Sequence, residues 1–396
     1  MSASVSSHSN SSSPERKCLG GLMKDIEEEL PREDSKDETA YKTLSEQKLS
    51  LDSIYPYENA KNKLNNISTI DTPIFNLSMI LAAFNSQKTT IILQKSLNEM
   101  SQENLEGIIK EMKGYFSAII KNKNGNYFCS DLLKVCSKEQ RIEILKEIGI
   151  NLIDDCTDEY GTHPIQTLIE LANSEEEYKL LLYYFRDFEK ILKATLNQNG
   201  TYVIQKLIVY IPEKYRMEFN LIFVKFICIL AMDMYGVCTA IKFINYTKNE
   251  ITEKLLLNII LSNFVTIAEN QYGNYLIQNI MEHWWNTNKG IFLKKICMEK
   301  FHKLARNHYS SYVCDIFLKL SNLQDKKILM NMLINGKTIN SFDNNNCGKI
   351  IINKLMKGLK QNNMKNNNNS GKKNNQGLNN NNRDIKNKAK PVEDKK

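Results

Sequence analysis

At 396 residues the chain has room for two or three ordinary domains, and its net charge of +8 is compatible with a polyanionic partner without requiring one. Its nine cysteines include no CxxC pair and no metal-type spacing with histidine, and Cys129, Cys228, Cys297 and Cys314 lie on apolar stretches, as buried thiols of a reducing compartment do. The N-terminus is Ser-rich with no apolar run, and the longest apolar stretch, Leu221 to Met234, is too short to span a bilayer and is interrupted by Lys225. A soluble, cytoplasmic protein is expected.

Residues 1–72 carry 9 basic and 13 acidic side chains among Ser and Asn, with no sustained period. They are expected to be mostly disordered, with a short helix around Leu22–Leu30. From residue 73 the pattern changes. One phrase returns as KTTIILQKSL from Lys88, NGNYFCSDLL from Asn124, YGTHPIQTLI from Tyr160 and NGTYVIQKLI from Asn199. It continues as YGVCTAIKFI from Tyr235, YGNYLIQNIM from Tyr272, YSSYVCDIFL from Tyr309 and CGKIIINKLM from Cys347. Aligned on Thr89, Gly125, Gly161, Gly200, Gly236, Gly273, Ser310 and Gly348, the copies lie 36 to 39 residues apart. A period in that range marks a stacked repeat array, which overrides a domain count based on length.

Each unit reads as helical. In the second, Leu105, Ile108, Ile109, Met112, Phe116, Ile119 and Ile120 predict one long helix from Leu105 to Lys121. A break at Lys123–Gly125 follows, then a helix from Tyr127 to Val135 and a shorter one from Lys138 to Ile148. Pro164 supports this register, because three residues after Gly161 it falls in a first helical turn, where proline is tolerated. After the last copy, residues 361–396 hold 13 Asn and a net charge of +6, a basic tail expected to be disordered.

On a helix the first and fifth residues after the anchor share a face. Here they are Thr90/Gln94, Asn126/Ser130, Thr162/Gln166, Thr201/Gln205, Asn274/Gln278 and Ser311/Asp315, with Lys349/Asn353 in the last copy. The second residue is a ring in Tyr127, His163, Tyr202, Tyr275 and Tyr312. One such pair beside one ring is better explained as packing and turn capping. Six pairs and five rings in register are not, because packing does not ask for an amide four residues from another polar group. Polar pairs that read base edges between rings that stack on base faces form a surface for single-stranded RNA.

These phrases resemble the Pumilio-type (PUF) repeats, over about residues 73–360. The resemblance implies an all-α fold, an α-solenoid in the form of a crescent superhelix of eight three-helix repeats. Its concave face would bind one RNA base per repeat, with the last repeat meeting the 5′ base. Asn274 and Gln278 with Tyr275 match the set that reads uracil. Ser311 resembles the guanine-reading serine, with Asp315 where the family has glutamate. Thr90/Gln94, Thr162/Gln166 and Thr201/Gln205 resemble the adenine-preferring class, and Asn126/Ser130 a weakened uracil pair. The fifth copy departs, with Val237, Cys238 and Ile241, as does the eighth, with Lys349, Ile350 and Asn353. The implied element is xGUxAAUA, of the UGUANAUA type.

By that resemblance the chain is a monomeric regulator that binds mRNA 3′-untranslated regions and recruits deadenylation or translation-repression proteins. A Pumilio-like ribosome-biogenesis factor and a scaffold that has lost RNA binding are the alternatives, the latter kept open by the eroded first, fifth and eighth copies. No phosphate loop, dinucleotide fingerprint or nucleophile motif appears, so enzyme activity, a cofactor and a metal are not expected. His163 reads as a stacking ring. His283, Trp284 and Trp285 read as an inter-repeat contact, and His302 and His308 lack ligand spacing.

Overall fold

The computed structural model describes residues 76–373, which fall within one compact unit. The expected disorder of residues 1–72 and the helix around Leu22–Leu30 lie outside the described residues. The first repeat holds α1 (Leu77–Ala83) and α2 (Gln87–Leu97). The second holds α3 (Gln102–Met112), α4 (Phe116–Ile120) and α5 (Gly125–Val135), and the third α6 (Lys138–Ile148), α7 (Leu152–Asp155) and α8 (Thr162–Leu171). The fourth holds α9 (Glu175–Tyr184), α10 (Phe188–Thr195) and α11 (Gly200–Tyr210), and the fifth α12 (Met217–Ala231) and α13 (Gly236–Tyr246). Then come α14 (Glu250–Ser262), α15 (Phe264–Ala268) and α16 (Gly273–Trp284), then α17 (Asn288–Leu304) and α18 (Ser310–Leu320), and finally α19 (Leu323–Asn335) and α20 (Asn346–Lys373). The described residues contain no strand.

The anchor-bearing helices α2, α5, α8, α11, α13, α16, α18 and α20 each pack on the next, forming one continuous row. The preceding helices form a second row behind it, with α3 on α6, α6 on α9, α12 on α14 and α14 on α17. This one-dimensional stacking defines an α-solenoid. One apolar core runs along it, from Ile80 and Leu93 through Phe128, Ile165, Ile204, Phe243, Ile277 and Phe317 to Leu355.

The long helix expected from Leu105 to Lys121 is two. Gly114, at φ 85°, breaks it between α3 and α4, and its N–H donates to Glu147 Oε1 at 2.7 Å. Asn263 interrupts the equivalent segment between α14 and α15, whereas α12 and α17 run unbroken. The number of helices per repeat therefore varies while the period holds. Lys138–Ile148, expected to be the shorter helix, matches Gly125–Val135 at 11 residues. Its start is fixed by a capping box, with Ser137 accepting from the Gln140 N–H and Gln140 accepting from the Ser137 N–H. α20 continues to Lys373, past the repeat boundary expected at residue 360. Extending an existing helix needs no new nucleus.

A buried ion pair ties the second row together. Arg141 Nε on α6 donates to Glu177 Oε1 on α9 at 2.9 Å, and both side chains are less than a tenth exposed. Glu177 Oε2 accepts from the N–H groups of Asn173 and Ser174, and Arg141 Nη1 donates to the Cys136 carbonyl. Every charge in this pair is therefore also held by backbone.

Candidate nucleic-acid interface

Every anchor but Gly348 lies against the carbonyl six residues upstream. A Cβ at Gly125, Gly161, Gly200 or Gly273 would come within 2.6, 2.5, 2.5 or 2.3 Å of the oxygens of Ile119, Asp155, Ala194 and Ile267. No side chain fits that gap without a shift. Where the anchor is not glycine, it is a hydroxyl residue that turns the approach into a bond. Thr89 Oγ1 donates to the Ala83 carbonyl at 2.6 Å, and Ser310 Oγ to the Leu304 carbonyl at 2.7 Å.

Three residues before the anchor stands an Asn or Asp in seven repeats, a feature the sequence reading missed. Asn270 Oδ1 accepts from the N–H groups of Tyr272 and Gly273 at 2.8 and 3.0 Å. Asn122, Asp158, Asn197, Asp233 and Asn307 bond the anchor N–H in the same way, and Asn345 bonds that of Gly348 at 2.7 Å. These carboxamides and carboxylates satisfy free donors at the helix start and so fix where each row helix begins.

From that fixed start the same burial pattern recurs in the second to sixth repeats. The first residue is buried, the second exposed, the third and fourth buried and the fifth half-buried. Tyr127, Tyr202, Tyr275 and Tyr312 are 62, 57, 60 and 50% exposed, and His163 is exposed with them. A tyrosine standing out of a packed helix row presents a ring face that no core contact claims. The fifth repeat keeps the register without the chemistry, with Val237 buried, Cys238 exposed and Ile241 half-buried.

In three repeats the polar pair is joined within itself. Gln166 Nε2 donates to Thr162 Oγ1 at 3.0 Å, Gln205 Nε2 to Thr201 Oγ1 at 3.3 Å, and Gln278 Nε2 to Asn274 Oδ1 at 2.9 Å. Asn274 is itself pinned, because its Nδ2 donates to the carbonyls of Asn270 and Gln271. Each glutamine keeps its carbonyl oxygen and one amide hydrogen for another partner.

The other pairs are not joined. Ser130 Oγ donates to the Asn126 backbone carbonyl at 2.9 Å, and buried Asn126 Oδ1 has no partner among the described residues. Thr90 Oγ1 bonds the Ala83 and Ser86 carbonyls, while Gln94 Nε2 donates to Asp131 of the next repeat. Ser311 Oγ donates to the His308 carbonyl at 2.6 Å and not to Asp315. Lys349, Ile350 and Asn353 are all exposed, so the last repeat lacks the buried first position of the first six.

Asp315 is held by two lysines, Lys354 Nζ to Oδ1 at 2.7 Å and Lys319 Nζ to Oδ2 at 3.0 Å. Burial pushes its carboxyl up, but these bonds outweigh it and hold it below the ordinary 3.8. It is an ionised acceptor.

A family model described as "Pumilio-family RNA binding repeat" matches residues 115–148, 195–218 and 263–284. These segments include the anchors Gly125, Gly200 and Gly273. The chain is 26% identical over 276 residues to Pumilio homolog 12 of Arabidopsis thaliana, covering 68% of this chain and 45% of that protein. It is 24% identical over 298 residues to Pumilio domain-containing protein C6G9.14 of Schizosaccharomyces pombe, covering 67% and 43%. The chain carries Pumilio-family repeats over these segments.

The chain spans less than half the length of either Pumilio relative. The fold agrees with solved Pumilio-type domains. A Puf4 RNA-binding domain, solved with a 3′-UTR recognition sequence of HO endonuclease RNA, superposes with a TM-score of 0.63 at 19% identity, over 71% of this chain and 90% of that one. The RNA-binding domain of yeast Puf5p, solved with SMX2 RNA, superposes with a TM-score of 0.60 at 20% identity, over 71% and 84%.

Among other residues of these Pumilio repeats, Trp284 is buried and His302 Nε2 bonds Ser341 Oγ at 2.6 Å, both in contacts that hold the array. Cys129, Cys297 and Cys314 are buried as expected, but Cys228 is only half-buried. No described helix is long and apolar enough to cross a membrane.

Proposed function

We propose that the chain binds single-stranded RNA along the row α2–α20, one base per repeat, and selects an element of the form xGUxAAUA. The observation that carries this reading is the recurrence of an exposed ring beside a buried, pinned polar residue on successive stacked helices. Exposed Tyr275 next to Asn274 and Gln278 is its clearest instance. Stacking on such rings contributes about 1–3 kcal/mol per base whatever the sequence. Choice among bases then falls to the polar pair.

Uracil suits the sixth repeat. Gln278 has a second amide hydrogen for a uracil carbonyl and an oxygen for N3–H. Guanine suits the seventh, where an ionised Asp315 accepts from N1–H and N2–H₂. Asn126 with Ser130, whose hydroxyl is turned to the Asn126 backbone carbonyl, is the weaker uracil pair. The fifth repeat, with Val237 and Ile241, is left to packing. The protein would act on mRNA 3′-untranslated regions in the cytoplasm, recruiting repression or decay proteins.

The test compares the affinity for an eight-base RNA beginning UGU and ending AUA with that for the same RNA with its G replaced. About tenfold or greater preference for G supports the reading, and equal affinities overturn it.

A further inference from the structure

Lys354 is a residue beside the guanine-reading repeat that neither composition nor repeat register singles out. It belongs to the eighth repeat, six residues after Gly348, yet its Nζ lies 2.7 Å from Asp315 Oδ1 in the seventh. It stands one helical turn beyond Ile350, which occupies the ring position of α20, so the two share a stripe. A base stacked on exposed Tyr312 and bounded by Ile350 would have Lys354 at its edge. Lys319, the second lysine on Asp315, sits a turn further along the helix of Asp315 itself and not on the neighbouring repeat.

The Watson–Crick edge of guanine carries two donor sites, N1–H and N2–H₂, and one acceptor, O6. Asp315 is acceptor-only and serves the first two. Ser311 cannot donate to O6 while its hydroxyl hydrogen is given to the His308 carbonyl at 2.6 Å. An ammonium bonded to the carboxylate oxygen that takes N1–H lies beside O6 and has hydrogens to spare. Lysine donation to guanine O6 is also a common specific contact in nucleic-acid recognition.

We propose that Lys354 donates to guanine O6, so that the guanine reader is an Asp315–Lys354 pair spanning two repeats rather than a Ser–Asp pair within one. This rests on the assignment of guanine to the seventh repeat. It also gives the eighth repeat, which lacks a base-reading pair of its own, a role in choosing its neighbour's base.

The experiment uses the full chain and Lys354→Met, with RNAs bearing guanine, 6-thioguanine, inosine or adenine at the second base. Thioguanine weakens only the O6-type acceptor, and inosine removes only the N2 amine. The parent is expected to lose about five- to tenfold on thioguanine and a similar factor on inosine. Lys354→Met should bind guanine about tenfold more weakly, bind guanine and thioguanine alike, and keep the full inosine penalty. A variant that still prefers guanine to thioguanine overturns the proposal, as does one that weakens all four RNAs equally, which marks a phosphate contact. If the parent binds guanine, inosine and adenine alike, the guanine assignment itself fails and the pair falls with it. Unchanged helicity and melting of Lys354→Met, whose lysine side chain is 47% exposed, exclude misfolding.

Discussion

Gln278 Nε2 donates to Asn274 Oδ1 at 2.9 Å across one helical turn, and Asn274 Nδ2 is held in turn by the carbonyls of Asn270 and Gln271. The pair is thus oriented before any ligand arrives, which limits the side-chain ordering that binding must supply. Replacing both residues with alanine should relax choice at the third base and cost about 1–3 kcal/mol on a uracil ligand. Tyr275→Ala should weaken all sequences by a similar factor instead. Affinities for the four RNAs that vary only that base check both outcomes. Equal loss of specificity from the two changes would show that ring and pair do not divide the work.

The Arg141–Glu177 pair sets an acid limit on stability. Burial pushes the Glu177 carboxyl up, but bonds from Asn173, Ser174 and Arg141 outweigh it and hold it below its ordinary 4.5. A carboxyl lowered in the folded state stabilises above its unfolded value, and that contribution fades as pH falls through the folded one. The parent should therefore lose stability below about pH 4.5. Glu177→Gln should lose less over that range and be weaker by about 3–5 kcal/mol at neutral pH, since it leaves Arg141 buried and uncompensated. Thermal melts across that pH range measure both.

Gly273→Ala places a methyl 2.3 Å from the Ile267 carbonyl, a backbone atom that cannot swing aside. A loss of about 1–3 kcal/mol is expected. Ser310→Ala should cost about 1 kcal/mol, because it adds no clash and removes the hydroxyl's bond to the Leu304 carbonyl and its longer one to Asn307 Oδ1. Denaturant titration of the two variants checks the order, which reverses if the anchors do not approach those carbonyls.

Cys238 occupies the ring position of the fifth repeat and is exposed, whereas burial pushes the thiols of Cys129, Cys156, Cys297 and Cys314 well up. Alkylation of the native protein should modify Cys238 and spare those four. A bound xGUxAAUA RNA should slow the Cys238 reaction about tenfold or more, as read by peptide mass. Unchanged Cys238 reactivity would place the RNA off this row.

The period and the polar pairs were legible because the solenoid repeats its core at one spacing, and every copy shows it in the same positions. The pairing of buried Thr162 with half-buried Gln166 follows directly from helical spacing. Features set by contacts between copies were hidden. Nothing local marks Lys354 as the partner of Asp315, or Asp131 as the partner of Gln94, because each bond crosses 37 or 39 residues. The break at Gly114 was masked by an apolar pattern that continues on both sides of it. The Asn or Asp before seven of the anchors was visible, but its meaning depends on the turn geometry that lets Asn270 reach two backbone N–H groups.

The most direct test of the account is selection of RNA ligands by the full chain from a random pool. The predicted result is enrichment of GUxAAUA, with the G–U step opposite Asp315 and Gln278 the most strongly fixed and the base opposite Val237 and Ile241 free. Enrichment of no motif, or of one in which G–U varies as freely as that open position, would contradict base reading along this row.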